Sequence, residues 1–350
     1  MTSVSADDGS SPAAGAPLPS IDDLLDGLNL GRNRRMAAQL LQSAFALLDD
    51  HPDVLDLKIA GAALEEMREA FKMFAPFHHT PKVTIFGSAR TQMADPLYMQ
   101  ARDVAAKLAA AGWMVVTGAG PGIMQAGMEG AGRQQSIGVS IRLPFEQGAN
   151  PVIAGDVKYV SMKYFFTRKL MLVKESKGFV CLPGGFGTLD ETFELLTLTQ
   201  TGKGLPVPIV FLDTPGDPYW ETVHEFVQSQ LVARGLVSPA DTELYLVTDD
   251  SQAAADEVLG FYRNYDSIRY VGHLAVMRIK QAPTDTQLAE LNERFGHLCV
   301  NGKISRAAPF EPERKENDRL ELARIAFTFI KHSYGDMRDL INTVNSYVEP

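Results

Sequence analysis

A chain of 350 residues is long enough for one large domain or two smaller ones, each with its own hydrophobic core. The formal net charge of −10 argues against broad nucleic-acid binding, which needs a basic protein face. The chain has only two cysteines and no CxxC or Cys/His ligand spacing. We therefore expect neither a disulfide framework nor a structural zinc site.

Residues 1–20 are rich in Ser, Ala, Pro and Gly and are acidic, which predicts a disordered tail. This segment lacks the basic start and the apolar stretch of a signal peptide. No apolar run approaches the ~18–20 residues that are needed to span a membrane. The sequence therefore predicts a soluble, cytoplasmic protein.

Residues 21–76 have the apolar periodicity of helices, with a break at His51-Pro52. We interpret them as a helical extension that packs on the main domain or on a partner subunit. Before the break, the apolar residues at helical spacing are Met36, Leu40, Leu41, Phe45 and Leu48.

Residues 77–265 alternate apolar strands with helical segments, which is typical of a parallel sheet covered on both faces. The predicted fold is an α/β, Rossmann-like, doubly wound sheet. The predicted strands lie at 83–86, 113–117, 136–142, 157–160, 178–182, 208–213 and 243–247, and one of the predicted helices lies near 218–233.

Residues 266–350 have a different pattern, which predicts a small α+β module of βαββα order. One strand is expected from Tyr270 to Ile279, and further strands are expected at 298–306 and 321–330. The charged stretch Pro309–Asp318 is expected to join those two strands. Nothing here resembles a catalytic set, and we expect a dimerisation or regulatory role.

Three predicted strands end in glycine-bearing turns, at Gly87, at Gly118-Ala-Gly120-Pro-Gly122, and at Gly184-Gly185-Phe-Gly187. In open α/β sheets, ligands bind at the carboxyl ends of the strands. The three turns are therefore expected to meet around one ligand.

The third turn, Pro183-Gly-Gly-Phe-Gly-Thr-Leu-Asp-Glu191, joins a buried strand to a helix. Such a junction leaves backbone N–H groups unpaired at the positive end of the helix dipole, which suits a phosphate. Glu191 follows Thr188 by three residues, and a carboxylate beside an anion site suggests chemistry on the ligand. The same two residues also fit a capping box, in which they satisfy only the helix amides.

Two common nucleotide sites do not fit. The G-x-G-x-x-G fingerprint of dinucleotide enzymes fails because Gly122 is misplaced, and no G-x-x-x-x-G-K-[ST] loop occurs. Just before the Pro-Gly-Gly strand, a predicted helix at 162–176 carries Lys163, Arg168, Lys169 and Lys174. These side chains either form a solvated face or contribute basic groups to the phosphate site.

Pro183–Glu191 resembles the Pro-Gly-Gly-x-Gly-Thr-x-x-Glu signature of the LOG ("lonely guy") family. The Arg168-Lys169 pair, the Gly87-Ser88-Ala89-Arg90 turn and the Gly118–Met124 loop fit as well. The resemblance covers about residues 80–262, and the terminal segments are additions to the short family form. The protein is expected to be a long, bacterial-type member.

The resemblance implies a nucleotide 5′-monophosphate phosphoribohydrolase, which releases a free base such as a cytokinin or adenine and ribose 5-phosphate. It also implies a homodimer, and a reaction that needs no metal or cofactor. Some members have been labelled lysine decarboxylases, for which this sequence offers no support. The implied catalytic pair is Arg168 and Glu191, and the implied substrate-binding residues are Gly87, Ser88, Gly118, Gly120, Lys169, Gly184, Gly185, Gly187 and Thr188.

One departure concerns specificity. Short family members have Met-His two and three positions before the arginine, where this chain has Phe165-Phe166. These rings either stack on a base or fill the core. The alternative function is a non-catalytic carrier or sensor for a nucleotide or for the molybdenum cofactor, and the Arg168/Glu191 pair favours the enzyme over it.

Overall fold

The structure, a computed structural model, describes residues 20–143 and 148–349. Contacts divide the described residues into two compact units, with the boundary between Ala62 and Ala63. The predicted disordered tail lies outside the described residues except for Ser20, whose side chain accepts a hydrogen bond from the Asp23 N–H and caps the first helix.

The first unit is helical. It contains α1 (Ile21–Asp26), α2 (Arg34–Asp49) and the beginning of α3 (Val54–Phe74). The gap between α2 and α3 coincides with the predicted break at His51-Pro52. No residue of α2 is buried, and its apolar residues are half-buried or exposed.

The second unit contains a seven-stranded sheet of order β4-β3-β2-β1-β5-β6-β7, in which all neighbouring strands are parallel. Its central strands are buried at every position, as expected where helices cover both faces. The predicted Rossmann-like class is confirmed. The strands are β1 (Lys82–Phe86), β2 (Met114–Thr117), β3 (Ser136–Ile141), β4 (Tyr159–Met162), β5 (Gly178–Cys181), β6 (Ile209–Leu212) and β7 (Leu246–Thr248).

Helices follow the strands and form two hydrophobic cores, one on each face of the sheet. Because strand side chains alternate, Val83 and Ile85 of β1 enter one core and Phe86 enters the other. The helices are α4 (Pro96–Ala110), α5 (Ile123–Ala131), α6 (Phe165–Glu175), α7 (Phe186–Gln200), α8 (Tyr219–Phe226) and α9 (Ser251–Gly260).

The strand order reverses at β1. The chain continues from β1 to β2 on one side, whereas β5 pairs with β1 on the other. A crevice opens at such a reversal, outside the carboxyl ends of the two strands, and is the usual ligand site of this fold. The turns after β1 and β5 are two of the three predicted glycine turns.

One helix differs from the prediction. The sequence predicts a regular helix near 218–233, but α8 ends at Phe226 and the chain continues as a π-helix over Val227–Val232. The π-helical stretch has only six residues, which is too short for its longer period to appear in the apolar pattern.

Residues from Tyr265 onward form a four-stranded antiparallel sheet of order β10-β11-β9-β8. The single strand predicted from Tyr270 to Ile279 is wrong, because the chain turns at Gly272, whose φ of 61° suits glycine. The elements are β8 (Tyr265–Val271), β9 (Leu274–Ile279), α10 (Asp285–Phe295), β10 (Ser305–Arg306), α11 (Glu311–Glu316), β11 (Ala323–Thr328) and α12 (Tyr334–Ser346).

The charged stretch Pro309–Asp318 is more than the predicted connection, since it contains α11 and the fully buried Glu313. The Glu313 carboxylate accepts from Arg278 Nε at 2.9 Å and from Arg324 Nε at 3.2 Å. Both arginines lie on strands of the antiparallel sheet, and both are buried. A charged run thus supplies the counter-ion that these buried arginines require.

Among the helices of residues 20–143 and 148–349, none combines the length and the apolar character that a membrane span requires.

Candidate functional site

The three glycine turns meet at the crevice beside β1 and β5. The backbone N–H of Ser88, after β1, donates to the Pro183 carbonyl at 3.1 Å. The Ser88 carbonyl in turn accepts from the Ile123 N–H at 3.1 Å, at the start of α5. Two backbone hydrogen bonds therefore tie the turn after β1 to the other two.

Several of these glycines are required by close approach. A Cβ atom on Gly184 would lie 2.2 Å from Thr188 Oγ1 and 3.0 Å from the Ser88 nitrogen. A Cβ atom on Gly87 would lie 2.6 Å from Ile123 Cγ2. By contrast, a Cβ atom on Gly185 would meet nothing within 4 Å. Gly184 and Gly87 thus allow the turns to pack together, whereas Gly185 faces open space.

The start of α7 decides between the two interpretations of Thr188 and Glu191. Gly185 occupies the N-cap position, and no side chain caps the helix. Thr188 and Glu191 therefore lie inside the helix, and the capping box is not formed. The first amides of α7 lack a side-chain partner, at the positive end of the helix dipole, which is the arrangement that binds phosphate.

Arg168 on α6 and Glu191 on α7 form a buried ion pair. The Arg168 Nη1 atom donates to Glu191 Oε1 at 3.0 Å, and each residue is 8% exposed. Arg168 Nε also donates to the Val139 carbonyl on β3 at 3.1 Å. A Cβ atom on Gly118 would lie 2.4 Å from Arg168 Nη2, so the absence of a side chain there makes room for the guanidinium.

Burial and neighbouring charges act in opposite directions on Glu191. Burial raises the pKa of its carboxyl group above the ordinary value, and Arg168 and Lys169 partly offset that rise. A carboxylate that is partly desolvated beside a fixed cation is the kind of group that enzymes use for general acid–base or electrostatic work.

The pair lies in a cleft of about 750 Å³. Nine of the eleven residues implied by the family resemblance line it: Gly87, Ser88, Gly118, Arg168, Gly184, Gly185, Gly187, Thr188 and Glu191.

The remaining two lie elsewhere. The Lys169 ammonium forms ion pairs with Asp190 at 2.6 Å and Glu194 at 2.9 Å, and lines a neighbouring apolar groove. Gly120 is buried and does not line the cleft, and its carbonyl accepts from Asn150 Nδ2 at 3.0 Å.

Two further side chains of the cleft can act on a ligand: that of Tyr219, which the sequence does not place there, and that of Arg90, which the family resemblance includes only as part of the turn after β1. The Tyr219 hydroxyl, at the start of α8, donates to the Gly184 carbonyl at 2.7 Å. Arg90 is exposed at the cleft and forms no ion pair with the described residues. The sequence position of Tyr219 could have indicated its place in the cleft. It follows β6, and because β6 pairs with β5, the turn after β6 reaches the same edge of the sheet.

Phe165 and Phe166 do not fill the core, because they are 52% and 56% exposed. Phe165 lines both the cleft and the neighbouring groove, whereas Phe166 lines only the groove. Of the two interpretations made from the sequence, the core-filling one is wrong.

In the part of the chain that the structure describes, no group of three or more His, Cys, Asp or Glu side chains is placed to hold a metal ion. The fold and the cleft define the class: a Rossmann-like protein with an uncapped glycine turn and a buried Arg–Glu pair at the switch point of its sheet.

Part of the parallel-sheet domain is similar to known proteins. Residues 122–258 match the family described as possible lysine decarboxylase. Three relatives are named cytokinin riboside 5′-monophosphate phosphoribohydrolase, two of them as probable. One from Oryza sativa subsp. japonica is 29% identical over 33% of this chain and 51% of its own length. Two from Arabidopsis thaliana are 25% and 32% identical, over 37% and 31% of this chain and 58% and 51% of their own lengths.

The chain thus spans about half the length of the curated relatives it matches. These matches confirm the predicted resemblance to the LOG family.

Solved structures include more distant likenesses. A molybdenum cofactor carrier protein from Chlamydomonas reinhardtii is 20% identical, covering 52% of this chain and 99% of that chain with a TM-score of 0.35. DNA processing protein A from Helicobacter pylori is 18% identical, covering 54% of this chain and 83% of that chain with a TM-score of 0.37.

Proposed function

We propose that the protein hydrolyses the N-glycosidic bond of a nucleoside 5′-monophosphate and releases a free base and ribose 5-phosphate. The observation that carries this proposal is the buried Arg168–Glu191 pair beside an uncapped phosphate-type turn. The family resemblance supports the same reaction class, because the curated relatives act on cytokinin riboside 5′-monophosphates according to their names.

The 5′-phosphate would bind at the start of α7. There the backbone amides after Gly185 and the Thr188 hydroxyl offer donors, and the glycines leave the backbone accessible. Arg90 would add a positive charge at the cleft. These groups fix the phosphate end of the substrate. Its ribose would then lie near the second turn of α7, which contains Glu191.

Cleavage of the bond places positive charge on the ribose ring. The Glu191 carboxylate would stabilise that charge or take a proton from the attacking water. The water oxygen bonds to C1′, the electron pair of the C–N bond leaves with the base nitrogen, and one water proton ends on the base. Arg168 holds Glu191 in place and favours its ionised form.

The test is to incubate the purified protein with a panel of nucleoside 5′-monophosphates, including N6-substituted adenine forms, and to measure free base and ribose 5-phosphate. Release that is lost in Glu191→Gln would establish the hydrolase and identify its base. Tight binding of a monophosphate without release would contradict the proposal and favour the carrier or sensor.

We also propose a homodimer. Side chains of α6 and α7 form an apolar groove of about 940 Å³ beside the cleft, and Phe186 in it is 93% exposed. Exposed apolar surface of this kind usually marks an interface. Light scattering should give the mass of a dimer, and Phe166→Glu should give a monomer. An unchanged mass in that variant would contradict this choice of interface.

A further inference from the structure

A second cavity lies between the parallel sheet domain and the antiparallel sheet. It has a volume of about 510 Å³ and is lined by the C-terminal halves of α6 and α7 on one side and by β8 and β9 on the other. None of its lining residues belongs to the cleft that contains Arg168 and Glu191. It is therefore separate from the cleft, at the junction of the two sheets, although Leu170, Val173 and Leu198 also line the apolar groove beside the cleft.

The inner wall of this cavity is apolar. Phe179, Leu195 and Ile268 are each at most 5% exposed, and they come from both sides of the junction. The rings of Tyr262 and Tyr265 lie 6.0 Å apart and complete the wall. Pockets that bind small molecules combine such a wall with a few polar groups.

The charged groups of the cavity are mostly cations. Five of them line it, namely Lys174, Lys177, Lys203, Arg278 and Arg319. Asp266 is the single carboxylate among the described lining residues, and Arg319 Nε already contacts it at 2.8 Å.

Not all of these cations have a carboxylate partner. Arg278 contacts Glu313 at 2.9 Å and Asp318 at 2.7 Å, and Lys174 pairs with Glu175. The Lys177 ammonium lies 5.5 Å from the centre of the Tyr262 ring, and neither Lys177 nor Lys203 forms an ion pair with any described residue. The exposed rim of the cavity thus carries two uncompensated positive charges above an apolar wall.

We propose that this cavity binds an organic anion with a flat apolar body and a phosphate or carboxylate end. The body would pack on Tyr262 and Ile268, and the anionic end would contact Lys177 and Lys203. Such a ligand would touch both helices of the candidate catalytic pair, since Val173 of α6 and Leu195 of α7 line the cavity. Binding here can be measured whether or not the cleft hydrolyses a nucleotide.

The experiment is equilibrium titration of the full chain with two probes, 1-naphthyl phosphate and 1-naphthoate, which differ only in the anionic end. The test variant is Lys177→Gln/Lys203→Gln. The matched control is Lys72→Gln/Lys303→Gln, which removes two exposed lysines that do not line the cavity. All four positions are exposed, so the substitutions leave the core intact.

We expect saturable binding of one probe, weakened about tenfold in the test variant because two partly exposed charge contacts are lost, and unchanged in the control. The preferred probe identifies the anionic end. Equal weakening in both double variants would reveal unspecific charge attraction and overturn the proposal. Binding that neither variant affects, or no saturable binding of either probe, would also overturn it.

Discussion

The Arg168 guanidinium and the Glu191 carboxylate meet at 3.0 Å although they lie on different helices, 23 positions apart in the chain. The backbone carbonyl of Val139 holds the guanidinium from a third element, and Gly118 leaves the space it occupies. The pair is therefore fixed by the sheet and both helices before any ligand binds, which is the preorganisation that electrostatic catalysis needs.

Replacing Arg168 with Gln should move the acid limb of the pH–rate profile to higher pH. Arg168 lowers the pKa of Glu191 against the opposing effect of burial, so its loss raises that pKa further. In the proposed mechanism the ionised carboxylate is the active form, so activity then declines already at a higher pH. The measurement is kcat/KM across the acid range, and an acid limb that stays in place would contradict the coupling.

Gly184→Ala should abolish phosphate binding, whereas Gly185→Ala should be tolerated. The new Cβ atom at 184 would lie 2.2 Å from Thr188 Oγ1, and at 185 it would meet nothing within 4 Å. Isothermal titration with AMP compares the two matched variants, with thermal unfolding as a check on folding. Equal affinities in the two variants would place the phosphate elsewhere.

Tyr219→Phe should raise KM about fivefold and change kcat little, because one hydrogen bond that positions the Gly184 carbonyl is lost. Tyr347→Phe is the control, since it also removes a side-chain hydrogen bond, to Glu290, but lies in α12's C-terminal flank, outside the cleft. If both variants raised KM equally, the rise would reflect a general loss of stability. The positioning of the Gly184 turn by Tyr219 would then be contradicted.

Asp213 should make the unfolding free energy increase as pH falls, opposite to the usual effect of a carboxyl group. Burial raises the pKa of its carboxyl group to about 6, Asp217 and Asp249 add to the rise, and one of its oxygens has no partner among the described atoms. The folded state therefore binds the proton more tightly than the unfolded state, and the cost of the charged form disappears as pH falls from 6 towards 4.

Urea unfolding of the wild type and of Asp213→Asn tests this dependence. Between pH 7 and pH 4 the wild type should gain roughly 2 kcal/mol in unfolding free energy relative to the variant, from 1.36 kcal/mol per pKa unit and a carboxyl that is partly protonated at pH 4 in the unfolded state as well. A difference between the two proteins that stays constant over this range would contradict the assignment.

Much of the fold follows from local patterns in the sequence. Apolar strands that end in glycine turns predicted β1, β2 and β5, and the sheet places their carboxyl ends together. The turns at Gly87 and Gly184 could be recognised from glycines that directly follow apolar strands, and in the structure close packing of the backbone requires glycine at both positions. The buried Arg–Glu pair followed from the family resemblance and not from the spacing of residues 168 and 191.

Other features depend on contacts that no local pattern encodes. The sequence predicts one strand across the hairpin at Gly272, because apolar residues lie on both sides of the turn. Glu313 reads as part of a solvated charge run, yet it lies between Arg278 and Arg324 from distant strands. Tyr219 enters the cleft only because β6 lies next to β5 in the sheet.

The central claim, that Glu191 performs chemistry and does not merely support the fold, is tested most directly by Glu191→Gln. The amide oxygen can still accept from Arg168, so the fold and the cleft should be preserved. We expect kcat for the best monophosphate to fall by about 10²–10⁴-fold with little change in its Kd, while Glu194→Gln, one turn further along α7, retains activity. Undiminished kcat in Glu191→Gln would contradict the account.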